Sequence, residues 1–187
     1  MRKKALVTGG AKGIGRAIVT DLAADHDVAF TYLHTTPVPD TKGHAIKADL
    51  RDPHAPSAVI DATLAALGGL DVIVHNAGVI APAAPQEYPM AAMREMFDLN
   101  VLAAQGLLSH ALPHLKRGAS VVSVSSVNAV LPPKGAALFG ASKAALEVWT
   151  KGMAKELGPE GIRVNAVAPG AVNIPEAPRD AELTALF

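Results

Sequence analysis

The 187-residue chain contains no cysteine, which excludes disulfides and thiolate metal sites and is consistent with a reducing cytoplasm. It also lacks a basic block: 17 Lys and Arg balance 17 Asp and Glu, for a formal net charge of zero. Nucleic acid is therefore not an expected partner. A long hydrophobic run is missing too. Met1-Arg2-Lys3-Lys4 has the basic character of a signal start, but the apolar stretch behind it stops at Gly9-Gly10. That is too short for a signal core or a membrane span. Charged residues make up only 18% of the chain against 50% hydrophobic, a balance that disfavours disorder and supplies one sizeable core. The expectation is a single cytoplasmic domain over residues 1–187, without membrane attachment.

What is present is alternation. Strand-like apolar runs at 4–8, 28–33, 44–48, 72–75, 120–124 and 163–167 are separated by helical patterns at 14–24, 55–67, 90–115 and 139–157. The runs are rich in Val, Ile and Leu without strict alternation, as in strands covered on both faces. Asp52-Pro53 reads as a helix start and Gly158-Pro159 as a helix stop. Leu146, Trp149, Met153 and Leu157 form an apolar stripe on the last helix, a packing face. The 35–42 segment carries Pro37 and Pro39 and is too short for a crossover helix. The pattern predicts a Rossmann-type doubly wound α/β domain with a parallel sheet in order 3-2-1-4-5-6 and helices on both faces. No seventh strand is expected.

The first strand runs into Thr8-Gly9-Gly10-Ala11-Lys12-Gly13-Ile14-Gly15, and helix follows directly. Glycines at 9, 13 and 15 permit a tight turn and close backbone approach to a pyrophosphate, which the helix N-terminus then favours electrostatically. A glycine cluster alone is weak, but between a first strand and a first helix it points to dinucleotide binding. An acid near the end of the second strand usually selects NAD. Here that stretch reads Thr31-Tyr32-Leu33-His34-Thr35-Thr36, with no acid before Asp40. Lys12 and His34 offer donors to a 2′-phosphate, so NADP(H) is favoured over NAD(H).

Further motifs follow in order: His75-Asn76-Ala77-Gly78, Asp98-Leu99-Asn100-Val101, Ser125-Ser126, Phe139-Gly140-Ala141-Ser142-Lys143, and Arg163-Val164-Asn165-Ala166-Val167-Ala168-Pro169-Gly170. With the glycine loop, they resemble the short-chain dehydrogenase/reductase family, in its 3-oxoacyl reductase-like branch, over essentially the whole chain. Ser126 lies 13 residues before Phe139, the family's serine-to-tyrosine spacing. The resemblance implies that Gly9, Lys12, Gly13, Ile14, Gly15, His34, Asn76, Ala77, Gly78, Lys143, Pro169, Gly170 and Val172 contact the cofactor. Asp49 and Leu50 resemble a pair that contacts adenine, with helix capping an equal alternative for Asp49. Ser126 is implied to orient a substrate carbonyl. Lys143 is implied to bind the nicotinamide ribose and lower a phenol pKa, and Asn100 to hold a water in a proton relay.

The departure is at position 139, where the family has the tyrosine that protonates the nascent alkoxide. Phenylalanine has no proton to exchange, and neither Tyr32 nor Tyr88 stands in a context that would replace it. The resemblance thus implies an oxidoreductase that interconverts a carbonyl and a secondary alcohol, impaired by Phe139. The alternative is a catalytically silent NAD(P)-binding protein acting through cofactor occupancy or a partner. Whether Phe139 was introduced or is natural stays open. Ile174 stands where the family has a threonine, and the family usually continues beyond Phe187. The sheet edge at the sixth strand therefore needs cover from 176–187 or a partner subunit. A homodimer is expected through the 90–115 and 139–157 helices, with Leu102, Leu107, Leu108 and Leu112 as apolar surface. The i, i+4 pair His110 and His114 shows no third ligand, so no metal site is expected.

Overall fold

The central strands of the protein are apolar on both sides, and helices pack on both faces of the sheet they build, while the edge strands at 44–47 and 163–167 stay largely exposed. The computed structural model describes residues 2–82, 84, 86 and 90–174. Its strands are β1 (Lys3–Val7), β2 (His26–Tyr32), β3 (His44–Lys47), β4 (Val72–His75), β5 (Ser120–Val124) and β6 (Arg163–Val167). They form one sheet in the order β3-β2-β1-β4-β5-β6, and every neighbouring pair is parallel. Chain order reverses between β1 and β4, so a crevice opens there at the carboxyl ends of the strands.

Register explains the core. Ala29, Leu6, Ile73, Val121 and Val164 stand opposite one another in successive strands and form one buried row. On that face, α2 (Ala55–Leu67), α4 (Ala103–Ala111) and α5 (Ala137–Leu157) bring in Val59, Ile60, Leu107, Leu108 and Leu157. The intervening residues Ala5, Val7, Val28, Phe30, Val74 and Val124 face the other way and pack with Val19 of α1 (Gly13–Leu22). Each fully buried Val, Leu or Ile contributes about 1.5–3 kcal/mol. Leu146 of the α5 stripe is buried as well, while Trp149 and Met153 pack half-buried against the same core.

The expected 90–115 helix is divided. It comprises α3 (Met90–Phe97), a π-turn at Asp98–Leu102, α4, and a 3-10 turn at Leu112–His114. The π-turn is where the polar Asn100 is buried, its amide fully occupied by neighbouring segments as described below; such turns are frequent at functional sites. The 3-10 turn follows from Pro113, which has no N–H to continue the α-helical ladder.

One helix boundary also shifts. Asp52 does not cap α2; its carboxylate accepts from the His54 amide at 2.9 Å, within the turn that leads into Ala55. The first-turn proline is Pro56. The stop at Gly158-Pro159 stands: α5 ends at Leu157 with Gly158 at its C-cap, and a separate 3-10 turn at Gly158–Glu160 follows, closed by Gly161 in the left-handed region at φ 76°.

Of the leucines expected to serve a dimer, Leu107 and Leu108 are buried within the chain's own core, and Leu112 packs against it. The stripe on α4 turns towards the sheet because the sheet needs that cover. Leu102 remains 58% exposed, and Val148 on α5 is 68% exposed. Among the described residues, β6 pairs only with β5 and no helix intervenes between β2 and β3. The expected cover from 176–187 lies outside the described residues. No described helix is long and apolar enough to cross a membrane.

Candidate active site

The turn after β1 is locked to the turn after β4. Thr8 is buried, and its Oγ1 accepts from the backbone N–H groups of Asn76 and Ala77, each at 2.9 Å. In return, Asn76 Nδ2 donates to the carbonyl oxygens of Thr8 at 2.8 Å and Gly9 at 3.2 Å. A Cβ at Gly15 would collide with the Gly9 carbonyl oxygen and sit 2.5 Å from Asn76 Nδ2. Only glycine lets α1 begin so close to this latch. Thr8 and its latch were not singled out from sequence; the one signal was its place immediately before the glycines.

A cleft of about 570 Å³ opens above this turn. Gly9, Lys12, Gly13, Ile14 and Gly15 form its floor, and Asn76, Ala77 and Gly78 one wall. His34 after β2 and Asp49 and Leu50 after β3 line its far end, where Tyr32 also lies. Lys12 is exposed at the N-cap of α1. Val172 and Ile174 close the near side, and Ile174 Cδ1 lies 3.5 Å from where a Cβ on Gly13 would stand.

Asp49 does not cap α2. Its carboxylate accepts from Arg51 Nη2 at 2.6 Å, Arg51 Nε at 2.8 Å and the Arg51 amide at 3.1 Å. These hydrogen bonds hold the Asp49 carboxyl below the usual carboxylate range. Arg51, absent from the sequence-based candidates, also lines this cleft and is engaged by Glu95 as well.

Ile14, Asn76, Gly78, Val79 and Gly170 are shared with a second cleft of about 330 Å³, so the two are continuous. Ser126, Phe139, Lys143 and Pro169 line this second part. Ser126 lies two residues beyond the end of β5 and caps a short turn at Val127–Ala129, its Oγ accepting from the Asn128 amide at 3.2 Å. Phe139 and Lys143 stand one turn apart on α5, with Nζ 5.8 Å from the phenyl centroid. Lys143 is 4% exposed and donates to the Val124 carbonyl oxygen at 2.8 Å. Burial lowers its pKa to about 8, because desolvation disfavours the ammonium.

Asn100 stands behind this group rather than in it. Its Oδ1 accepts from the Val79 amide at 2.9 Å, while Nδ2 donates to the Val79 carbonyl at 3.1 Å and to Ser142 Oγ at 2.9 Å. Ser142, buried and overlooked in the sequence, passes the link on by donating to the Phe139 carbonyl at 2.8 Å. Gly78 lies between Asn100 and the lysine; a Cβ there would be 3.0 Å from Asn100 Oδ1 and 3.3 Å from Lys143 Nζ. Tyr32 is in the other cleft, and Tyr88 lies outside the described residues.

His75 is 5% exposed, with its ring 5.9 Å from that of Trp149 in an edge-on arrangement. Burial pushes its pKa down to about 4. It lies on the last residue of β4, where the side chain enters the core instead of the cleft.

Residues 3–182 match the short chain dehydrogenase family. The uncharacterized oxidoreductase YghA of Escherichia coli is 34% identical over 91% of this chain, which spans only 62% of that relative's length. The chloroplastic NADPH-dependent aldehyde reductase 1 of Arabidopsis thaliana is 34% identical over 94% of this chain and 67% of its own. Among solved structures, a short chain dehydrogenase from Burkholderia cenocepacia in complex with NADP superposes with a TM-score of 0.89 at 38% identity, covering 98% of this chain and 80% of its own. The parallel sheet, the glycine turn and the match over nearly the whole sequence have one reading: this chain belongs to the short-chain dehydrogenase family of oxidoreductases.

Proposed function

We propose that the chain binds NADP(H) along the two continuous clefts and is built for interconverting a carbonyl and a secondary alcohol, with the proton-transfer step disabled by Phe139. The observation that carries this is the convergence of Ser126, Phe139 and Lys143 on a cleft that runs uninterrupted into the glycine turn. The residues present fit a dinucleotide. The Gly15 position tolerates no side chain, the turn leads into the N-terminus of α1, and no acid terminates β2 to oppose a 2′-phosphate. The neighbouring structure that holds NADP and the relative named for NADPH dependence support the same preference.

When bound, the nicotinamide supplies a hydride. In this reading Gly9, Gly13, Ile14 and Gly15 cradle the pyrophosphate, Lys12 and His34 meet the 2′-phosphate, and Asp49 and Leu50 flank the adenine. Asn76, Ala77, Gly78, Pro169, Gly170 and Val172 line the nicotinamide half. Ser126 Oγ donates to the substrate carbonyl, and Lys143 holds the ribose hydroxyls. The Asn100 amide is occupied by Val79 and Ser142, so its side chain positions these segments beside Lys143. Phe139 preserves the aromatic packing of a tyrosine and lacks its acid. That same fact supports a second reading, a binding protein that is silent in catalysis and acts through cofactor occupancy or a partner.

The cofactor assignment is tested by titrating NADPH and NADH while following nicotinamide or Trp149 fluorescence. NADPH is expected to bind more tightly, and Lys12→Ala to weaken it roughly five- to tenfold, about 1–1.4 kcal/mol, as for one charge-assisted contact. NADH affinity should stay unchanged. Equal loss for both cofactors, or none, would remove Lys12 from the 2′-phosphate.

A homodimer is proposed through the 90–115 and 139–157 helical stretches, with Leu102 and Val148 as its exposed apolar residues. Light scattering at micromolar concentration should give twice the chain mass of 19.2 kDa; a clean monomer would contradict it.

A further inference from the structure

The cleft around Lys143 is lined chiefly by apolar groups, among them Ile80, Val124, Val127, Phe139 and Ala171. Lys143 reaches into it almost wholly buried, and its one hydrogen bond among the described residues goes to the Val124 carbonyl. No described carboxylate pairs with it. The acid one turn further along α5, Glu147, is instead engaged by Ser125 Oγ at 2.7 Å. A phenol at position 139 would ionise beside the lysine and hold it as the ammonium. A phenyl ring carries no charge and offers the ammonium only a cation–π contact at 5.8 Å, so the amine is the strongest nucleophile in the cleft.

We propose that Lys143 is a covalent capture site for small ketones and β-dicarbonyl compounds, its Nζ condensing with the carbonyl carbon to form an imine beside Phe139. The free amine adds its lone pair to the carbonyl carbon while a proton passes from nitrogen to oxygen, giving a carbinolamine. The C–O bond then breaks, one water leaves, and the C=N bond to Nζ remains. No oxidant or reductant is consumed. Ser126 Oγ, on the same cleft, donates to the carbonyl oxygen during addition. With a 1,3-diketone a proton moves from the central carbon to Nζ, and the adduct settles as a conjugated enaminone. The depressed pKa of about 8, against the ordinary 10.5, supports this, since it leaves about 300-fold more free amine at neutral pH than an exposed lysine has.

The test treats the full chain at pH 7 with acetylacetone, following enaminone absorbance and mapping peptides by mass. Lys143 is expected to gain one diketone less one water at least tenfold faster than the exposed Lys3, Lys116 and Lys151. Saturating NADP+, whose binding is established separately by calorimetry, should slow this at least tenfold; only that arm rests on the proposed cofactor site. Modification of Lys143 no faster than the exposed lysines would overturn the proposal. Selective modification of Lys143 that bound NADP+ fails to slow would uphold the capture and contradict the placing of the cofactor in this cleft. Selective capture in a chain that binds no NADP+ would uphold it and sink the cofactor reading instead.

Discussion

Phe139→Tyr is expected to raise NADPH-dependent reduction of simple ketones by about 10²–10⁴-fold over the unaltered chain, which corresponds to roughly 3–5 kcal/mol of barrier. The ring at this position already lines the cleft with Ser126 and lies 5.8 Å from Lys143 Nζ. The substitution therefore adds one hydroxyl to an existing arrangement. The neighbouring ammonium favours the phenolate and lowers the phenol pKa towards neutrality, the range in which a general acid works best. Cofactor affinity should hardly move, because the phenyl contacts are retained. The check is a pair of NADPH-oxidation assays on a panel of ketones, with cofactor affinity measured on both proteins. An inactive variant that still binds NADPH tightly would favour the silent binding protein.

The second large effect is on stability. His75 has a folded-state pKa of about 4 against an ordinary 6.5, because its ring is enclosed by the core beside Trp149. Protonation is therefore easier in the unfolded chain. The contribution is intact above pH 6.5, is lost progressively as pH falls, and levels off below about pH 4. At about 1.4 kcal/mol per pH unit, the loss from this one ring is roughly 3 kcal/mol. His75→Asn removes the titrating group. Urea denaturation at several pH values should show a shallower fall in stability for this variant than for the unaltered chain across that window. Equal slopes in the two proteins would show that His75 is not the group responsible.

Much of the architecture was legible because it depends on local pattern. Runs such as Ala5-Leu6-Val7 are apolar at every position, which only a sheet covered on both faces accommodates. The glycine turn could be placed from its flanking strand and helix alone. Ser126, Phe139 and Lys143 could be grouped because their spacing matched a known arrangement, and they do meet on one cleft.

What escaped the sequence depends on partners far along the chain. Thr8 matters through Asn76, 68 residues away, and Asn100 through Ser142, 42 residues away. No periodicity encodes those bonds, and the π-turn that accompanies Asn100 was hidden with them. The leucines of α4 show a helical stripe, but a stripe does not say whether the covering surface is a sheet or a second subunit. Here it is the sheet for Leu107 and Leu108. Asp49 offered two roles, and a third emerged because Arg51, two residues on, takes its carboxylate.

The most direct measurement of the central claim is isothermal titration calorimetry of the unaltered chain with NADPH, repeated on Gly15→Val. A saturable isotherm with one nucleotide per chain is expected for the first protein. The second should give none while keeping its helical circular dichroism, since the added side chain would occupy the space between Gly9 and Asn76. Failure of the unaltered chain to saturate at millimolar NADPH, or unchanged binding by Gly15→Val, would contradict the assignment of these clefts to a dinucleotide.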